Sequence, residues 1–394
     1  MSNRMDERYM RRLYFEDAYL REFDARVISC RPAGKLYEVV LDQSAFFPEG
    51  GGQPADTGTL GDVKVLDVQE KDQIPVHMTD APLAEGQEVH GTICWKDRFS
   101  RMQEHSGEHI VSGLIHRKYG YDNVGFHMGE EIRLDISGVL TWEELMEIEQ
   151  EANGIVFRNL PLHVWYPGEE ELHATDYRSK KELSGDVRLV EIPGADICAC
   201  CGTHVRFTGE IGPIKFLSMI HYKGGVRIMM HAGMRAMEDY RKKTDAVKSI
   251  CDMLSAKPYE SAEAVRHFME QSAEKDLRIS ELLRELLELR AEAAPDGERL
   301  VVVFEKGMKP VEIRKYCDLL LKKGKGEVCC VLSGSDKEGV YSYCLGSTHE
   351  NMQSSIKILN SILSGRGGGS PQMVQGTFAA DAAFIEAELQ KMFL

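Results

Sequence analysis

The chain has 394 residues, 43% of them apolar and 28% charged, and a formal net charge of −15. That length exceeds one compact core and implies two to four domains of ordinary globular composition. No apolar run approaches the ~20 residues of a membrane span, and the charged start Met1–Arg8 leads into no apolar signal core, so a cytoplasmic protein is expected.

Residues 1–93 read as a β-barrel-like domain. Val27–Ser29, Leu36–Leu41, Val63–Val68 and Val89–Cys94 are short β-branched or alternating runs separated by Gly, Pro and Asp turns. Between them lies Phe46-Phe-Pro-Glu-Gly-Gly-Gly-Gln-Pro-Ala-Asp-Thr-Gly58, whose consecutive Gly50, Gly51 and Gly52 permit positive φ and close approach to another segment or a ligand. Residues 94–233 read as an α+β domain. It opens with a helix over Trp95–Tyr119 that stops at Gly120. A strand at Ile132–Ile136 follows, then a capping box at Thr141–Glu144 that starts a helix to about Asn159. Leu162–Tyr166 and Val187–Ile192 alternate like strands, Asp176–Glu182 is a polar, helix-like stretch, and Gly212–Leu217 and Val226–Met230 complete the unit. Residues 234–296 form a charged helical hairpin or coiled coil. Its arms are broken at Lys257-Pro258, and Leu277, Ile279, Leu282, Leu283, Leu286 and Leu289 form its apolar stripe. Residues 297–394 form a separate α/β domain with a βαβ-like start, a closing helix over Ala379–Phe393, and Gly367, Gly368 and Gly369 in a run of backbone N–H groups able to cradle a phosphate. No Lys-Ser/Thr stands in Walker position there, so nucleotide hydrolysis is unsupported.

The chemistry concentrates in two short stretches. In Arg101-Met-Gln-Glu-His-Ser-Gly-Glu-His109, His105 and His109 lie four apart on a helix, so both imidazoles share one face. In Cys198-Ala-Cys-Cys-Gly-Thr-His204, Cys200 and His204 repeat that interval, and together the four residues make a full ligand set for tetrahedral zinc. Cys198 and Cys201 compete through a C-x-x-C spacing, and the ten scattered cysteines fit reduced thiols better than a disulfide framework. His105-Ser-Gly-Glu-His109 also matches H-x-x-E-H, the inverted zinc-peptidase motif in which Glu108 would be the general base. Residues 201–250 carry nine Lys/Arg against four Asp/Glu, a basic stretch in an acidic protein that suits a polyanion.

In this order, the glycine segment ending at Gln53, the His105/His109 pair and Cys200-Cys-Gly-Thr-His204 resemble the free-standing alanyl-tRNA editing proteins and the editing domain of alanyl-tRNA synthetase. Thr208–Gly212 is similar too, and Gly367-Gly-Gly-Ser-Pro-Gln-Met373 resembles the C-terminal domain of the synthetase and of long editing proteins. The resemblance implies zinc-dependent hydrolysis, in trans, of alanine tRNA mischarged with serine and in some members glycine. It implies His105, His109, Cys200 and His204 as zinc ligands, and Ser44 where many members have a threonine that meets the serine hydroxyl. Ser44, Gln53 and Glu108 are the candidate catalytic residues; Gly50, Gly51, Gly52, His127, Arg227, Gly367, Gly368 and Gly369 are the candidate tRNA contacts. The other classes to exclude are an H-x-x-E-H zinc peptidase and a non-catalytic tRNA-binding module with structural zinc. A homodimer through the helical or C-terminal region is a further expectation.

Overall fold

The computed structural model describes residues 10–179 and 187–394. Those residues form a mixed α+β protein that divides into two compact units, Met1–Ser249 and Ile250–Leu394.

In the first unit, β1 (Arg11–Arg12) and α1 (Leu13–Glu16) precede β2 (Glu22–Ala33), β3 (Leu36–Leu41), β4 (Gln43–Ser44), β5 (Gly58–Leu60), β6 (Val63–Lys71), β7 (Ile74–Thr79) and β8 (Glu88–Ile93). Six of these strands close a barrel in the order β2-β3-β7-β6-β5-β8, while β1 pairs in parallel with β4. Phe23, Ala25 and Val27 alternate inward along β2, with Glu22, Asp24 and Arg26 outside, as a period of two demands. The turn-to-turn sequence reading missed β7 because Pro75 interrupts its pattern. Pro75 precedes the register with β3, which begins at Val76, so its missing N–H costs no bond on that side.

Helix α2 (Trp95–Tyr119) leaves the barrel and ends where Gly120 takes the left-handed conformation, φ +70°. It packs with α3 (Trp142–Phe157) against an antiparallel sheet ordered β14-β15-β10-β9, formed by β9 (Asn123–Met128), β10 (Ile132–Ile136), β14 (Ile214–Tyr222) and β15 (Gly225–Ala232). The Thr141–Glu144 capping box starts α3. A second, three-stranded sheet, β11 (His163–Trp165), β12 (Leu189–Ile192) and β13 (Asp196–Ala199), ends directly at the cysteine loop. The polar stretch Asp176–Glu182 lies partly outside the described residues; the short helix in this region is α4 (Glu169–Ala174). Helix α5 (Met234–Leu254) follows β15.

In the second unit, α6 (Ser261–Ala293) precedes a sheet ordered β16-β17-β18-β20-β19, built from β16 (Leu300–Glu305), β17 (Val328–Ser335), β18 (Val340–Ser347), β19 (Arg366–Gly369) and β20 (Met373–Phe378). Strands β16 and β17 are parallel around α7 (Pro310–Lys322), the βαβ step read from sequence. Along β17, Val328, Cys330 and Leu332 face α8 (Met352–Ile362) and α9 (Ala382–Phe393), while Cys329 and Val331 face α6 and α7. Two details depart from expectation. On α6 Leu287 and Ala291 are buried and Leu283 of the apolar stripe packs beside them, at the i, i+4, i+8 positions of one face, whereas Leu277, Ile279, Leu282, Leu286 and Leu289 are exposed. The Gly367–Gly369 run is an edge strand paired with β20, not a phosphate-cradling turn. No helix among the described residues is long and apolar enough to cross a membrane.

Candidate metal centre

Helix α2 carries His105 and His109 on its buried face, and the turn after β13 brings Cys200 and His204 to them. One ligand atom from each of the four lies within 4.8 Å of the others. All three imidazoles are held by Nδ1: His105 donates to Gln53 Oε1 at 2.8 Å, His109 donates to Asp196 Oδ2 at 3.1 Å, and His204 pairs with Ser106 Oγ at 3.0 Å. With Nδ1 committed, Nε2 is the atom left for a metal, and such outer partners fix ring orientation and tautomer. The Nε2 atoms of His105 and His204 lie 3.5 and 3.4 Å from Cys200 Sγ.

The loop that delivers Cys200 is pinned from behind. Arg188 Nη1 donates to the carbonyls of Cys200 at 2.7 Å and Gly202 at 3.1 Å, and the Gly202 N–H donates to Cys200 Sγ at 3.3 Å. Gly202 is required there, because a Cβ on it would stand 2.1 Å from His105 Cε1.

Electrostatics separate the three competing cysteines. Burial alone would raise the Cys200 thiol, but His105, His109 and His204 pull it well below its ordinary value, so it is the thiolate of the group. Burial pushes Cys198 up to about 11 and raises Cys201 as well. Cys198 joins a second grouping with His109 and Asp196, and Cys201 belongs to neither. Burial lowers His204 to about 3, which keeps it neutral and able to ligate. The donor set, three imidazoles and one thiolate, is one that zinc accepts. The ten cysteines form no disulfide.

The centre opens on a cavity of about 490 Å³ lined by Tyr14, Phe47, Gly50, Gly51, Glu70, His105, Glu108, His109, Phe126 and Cys200, among others. Gly50 and Gly51 therefore stand at the cavity, whereas Gly52, at φ +85°, packs under β9: a Cβ on it would meet Phe126 Cδ1 and O at 2.6 Å. Glu108 lines the cavity 3.9 Å from His109 Nε2; its Oε1 accepts from Ser112 Oγ at 2.6 Å and from Asn123 Nδ2. Gln53 is buried and triply engaged, since Oε1 also accepts the Thr203 N–H and Nε2 donates to Thr203 Oγ1. It holds His105, a candidate ligand, and is not among the residues lining the cavity.

Other sequence candidates lie elsewhere. Ser44 is not among the residues lining the cavity; its hydroxyl is inside the barrel, 2.7 Å from His77 Nε2. His127 is exposed on β9 and is likewise not among them. Arg227 forms a two-point pair with Asp135 at 2.6 and 2.8 Å and lies 3.7 Å over the Tyr222 ring. Gly367, Gly368 and Gly369 belong to the second unit. Sequence reasoning missed Asp196 and Ser106. It also missed the buried Asp56–Arg98 pair, in which Asp56 accepts the Phe47 N–H and Arg98 donates to Ala45 O, clamping the glycine segment to α2. Asp56 stands three residues after Gln53 in the same segment, a signal that was available.

Comparison with known proteins gives matches along the chain. Residues 187–229 match the threonyl and alanyl tRNA synthetase second additional domain, and residues 20–97 match tRNA synthetases class II (A). The chain is 33% identical over 390 residues to the alanine–tRNA ligase of Pyrococcus abyssi, covering 93% of itself and 42% of the ligase. It is 27% identical over 403 residues to the alanyl-tRNA editing protein AlaX-L of Pyrococcus horikoshii, covering 97% of itself and 96% of that protein. The chain is similar along its length to alanyl-tRNA editing proteins. The match to AlaX-L runs through both units, whereas the chain spans less than half the length of the ligase. A solved C-Ala domain from Aquifex aeolicus alanyl-tRNA synthetase aligns with 25% of this chain and 90% of its own length at 20% identity, TM-score 0.22.

Proposed function

We propose that the protein is a trans-editing deacylase that hydrolyses alanine tRNA mischarged with serine, and with glycine, in the cytoplasm. The observation that carries this reading is the three-histidine, one-cysteine centre, each ring held by Nδ1, at the wall of a cavity large enough for an aminoacylated tRNA end. Zinc bound to His105, His109, Cys200 and His204 would supply Lewis-acid charge beside the ester. In this reading Glu108 takes the proton of the attacking water, a role supported by its position at the cavity wall next to His109. Water oxygen bonds to the ester carbonyl carbon, the bond to the ribose oxygen breaks, and the proton passes to that oxygen, leaving free amino acid and intact tRNA. Gly50 and Gly51 present backbone to the cavity, where a side chain would intrude on the tRNA end.

Selection against serine is needed because a pocket shaped for alanine rejects an added hydroxyl only by about 10². In this reading residues 94–233 hold the reaction, residues 1–93 supply the glycine segment, and residues 234–296 and 297–394 hold tRNA or a second copy of the chain.

The test is to incubate the purified, zinc-loaded protein with alanine tRNA charged with serine, glycine or alanine and follow ester loss. Serine and glycine esters are expected to disappear while the alanine ester persists, and Cys200→Ala should lower both bound metal and rate. Persistence of all three esters would leave the structural-zinc reading standing. Cleavage of peptides that Glu108→Gln abolishes would favour the peptidase.

A further inference from the structure

Tyr14 is a polar residue of the cavity wall that the mechanism above does not use. It stands on α1, which the β1–β4 pairing draws against the barrel beside the glycine segment. The residue is 1% exposed, and its ring meets Phe47 edge-on at 5.5 Å and Phe15 at 4.6 Å. Among the described residues its hydroxyl has no hydrogen-bond partner. Arg12 and Glu70, themselves 3.7 Å apart, are close enough for their charges to act on the phenol, and Arg12 makes a weak polar contact with it that falls short of a well-formed hydrogen bond. Burial is the main influence and raises its pKa, so the group stays a neutral O–H, donor and acceptor at once.

A buried hydroxyl without a partner is destabilising, and phenylalanine would fill the same space at no such cost. The hydroxyl that the sequence offered for reading serine is otherwise engaged: Ser44 Oγ is bonded to His77 and accepts the Phe46 N–H. We infer that Tyr14 is a substrate-binding residue whose phenol hydrogen-bonds a hydroxyl of the aminoacylated tRNA end. That hydroxyl belongs either to the serine side chain or to the terminal ribose. The inference rests on the deacylase reading.

Tyr14→Phe removes one oxygen and leaves the ring packing intact. Hydrolysis of serine- and glycine-charged alanine tRNA is measured for both proteins, with kcat and KM separated, alongside Tm. The expected result is a fall of about tenfold or more in kcat/KM on the serine ester, with Tm unchanged or raised. Full retention of glycine hydrolysis identifies the serine side chain as the partner, and an equal loss on both esters identifies the ribose. Unchanged kinetics on both esters overturns the inference, as does a loss accompanied by a lowered Tm, which marks a packing role. A wild-type protein inactive on both esters removes the deacylase reading and this inference with it.

Discussion

Ser44 and His77 form a closed pair inside the barrel. His77 Nδ1 lies 3.0 Å from Val39 O, a group that only accepts, so Nδ1 carries the hydrogen and Nε2 accepts from Ser44 Oγ. Ser44→Ala would leave a buried acceptor unsatisfied and free the Phe46 N–H. It should cost about 1–3 kcal/mol in urea unfolding while leaving the serine-to-glycine rate ratio unchanged. A changed ratio would return Ser44 to the substrate. Burial also lowers the His77 pKa from 6.5 to about 4. The unfolded chain therefore binds the proton first, so this stabilisation is complete above pH 6.5 and is lost as pH falls toward 4. His77→Gln should flatten the urea midpoint over that interval, and an unaltered slope would rule His77 out as its source. The grouping of His105, His109, Cys200 and His204 was legible because helical and loop geometry tie a four-residue spacing to one face. Gln53 was read as a catalytic candidate and not as the partner of His105, and Asp196 was not read at all, since those contacts span 52 and 87 residues of chain and leave no local period.

Helix α2 sits as deep as it does because two of its positions lack a side chain. A Cβ at Gly107 would stand 2.8 Å from Ala232 Cβ, and one at Gly113 would stand 2.5 Å from Ala195 O and 2.6 Å from Asp196 Cβ. Replacing a helical glycine with alanine ordinarily stabilises by about 0.5–1 kcal/mol. Gly113→Ala should do the reverse, because the Ala195 backbone just before β13 must move, and with it Asp196, which orients His109. Zinc affinity, measured by competition with a chromophoric chelator, should fall about 10–100-fold. Gly154 on α3 is the control: nothing lies within 4 Å of a Cβ there, so Gly154→Ala should raise stability and leave zinc affinity alone. Equal effects from the two substitutions would refute the argument. Elements with long regular periods, α2 and α3, were readable to within about two residues. The glycine run misled because β19 owes its strand form to its partner: a Cβ on Gly369 would meet Met373 O at 2.4 Å, so closeness to β20 selects the glycine.

At the scale of the molecule the question is how a chain of net charge −15 would hold a polyanion. The basic stretch 201–250 is less available than its composition implies. Arg206 pairs with Asp17, Lys215 with Glu149, Arg227 with Asp135, Arg235 with Glu104 and Lys243 with Asp239. Those pairings cross 66 to 189 residues in four of the five cases, and the fifth is an i,i+4 contact, so composition alone counted charges that the fold neutralises. Arg241, Lys242 and Lys248 are exposed on α5 and stand in none of these pairs. If α5 grips the phosphate backbone, replacing these three with glutamine should raise KM for charged tRNA several-fold, leave kcat in place, and make log(kcat/KM) fall less steeply with log salt. Arg227→Gln should instead lower Tm with little change in salt slope, since it breaks the two-point bond to Asp135 and removes no phosphate contact. An undiminished salt slope in the triple variant would place the phosphate contacts off α5, and the same measurement on the chain cut after Leu254 would then assign them to the first or the second compact unit.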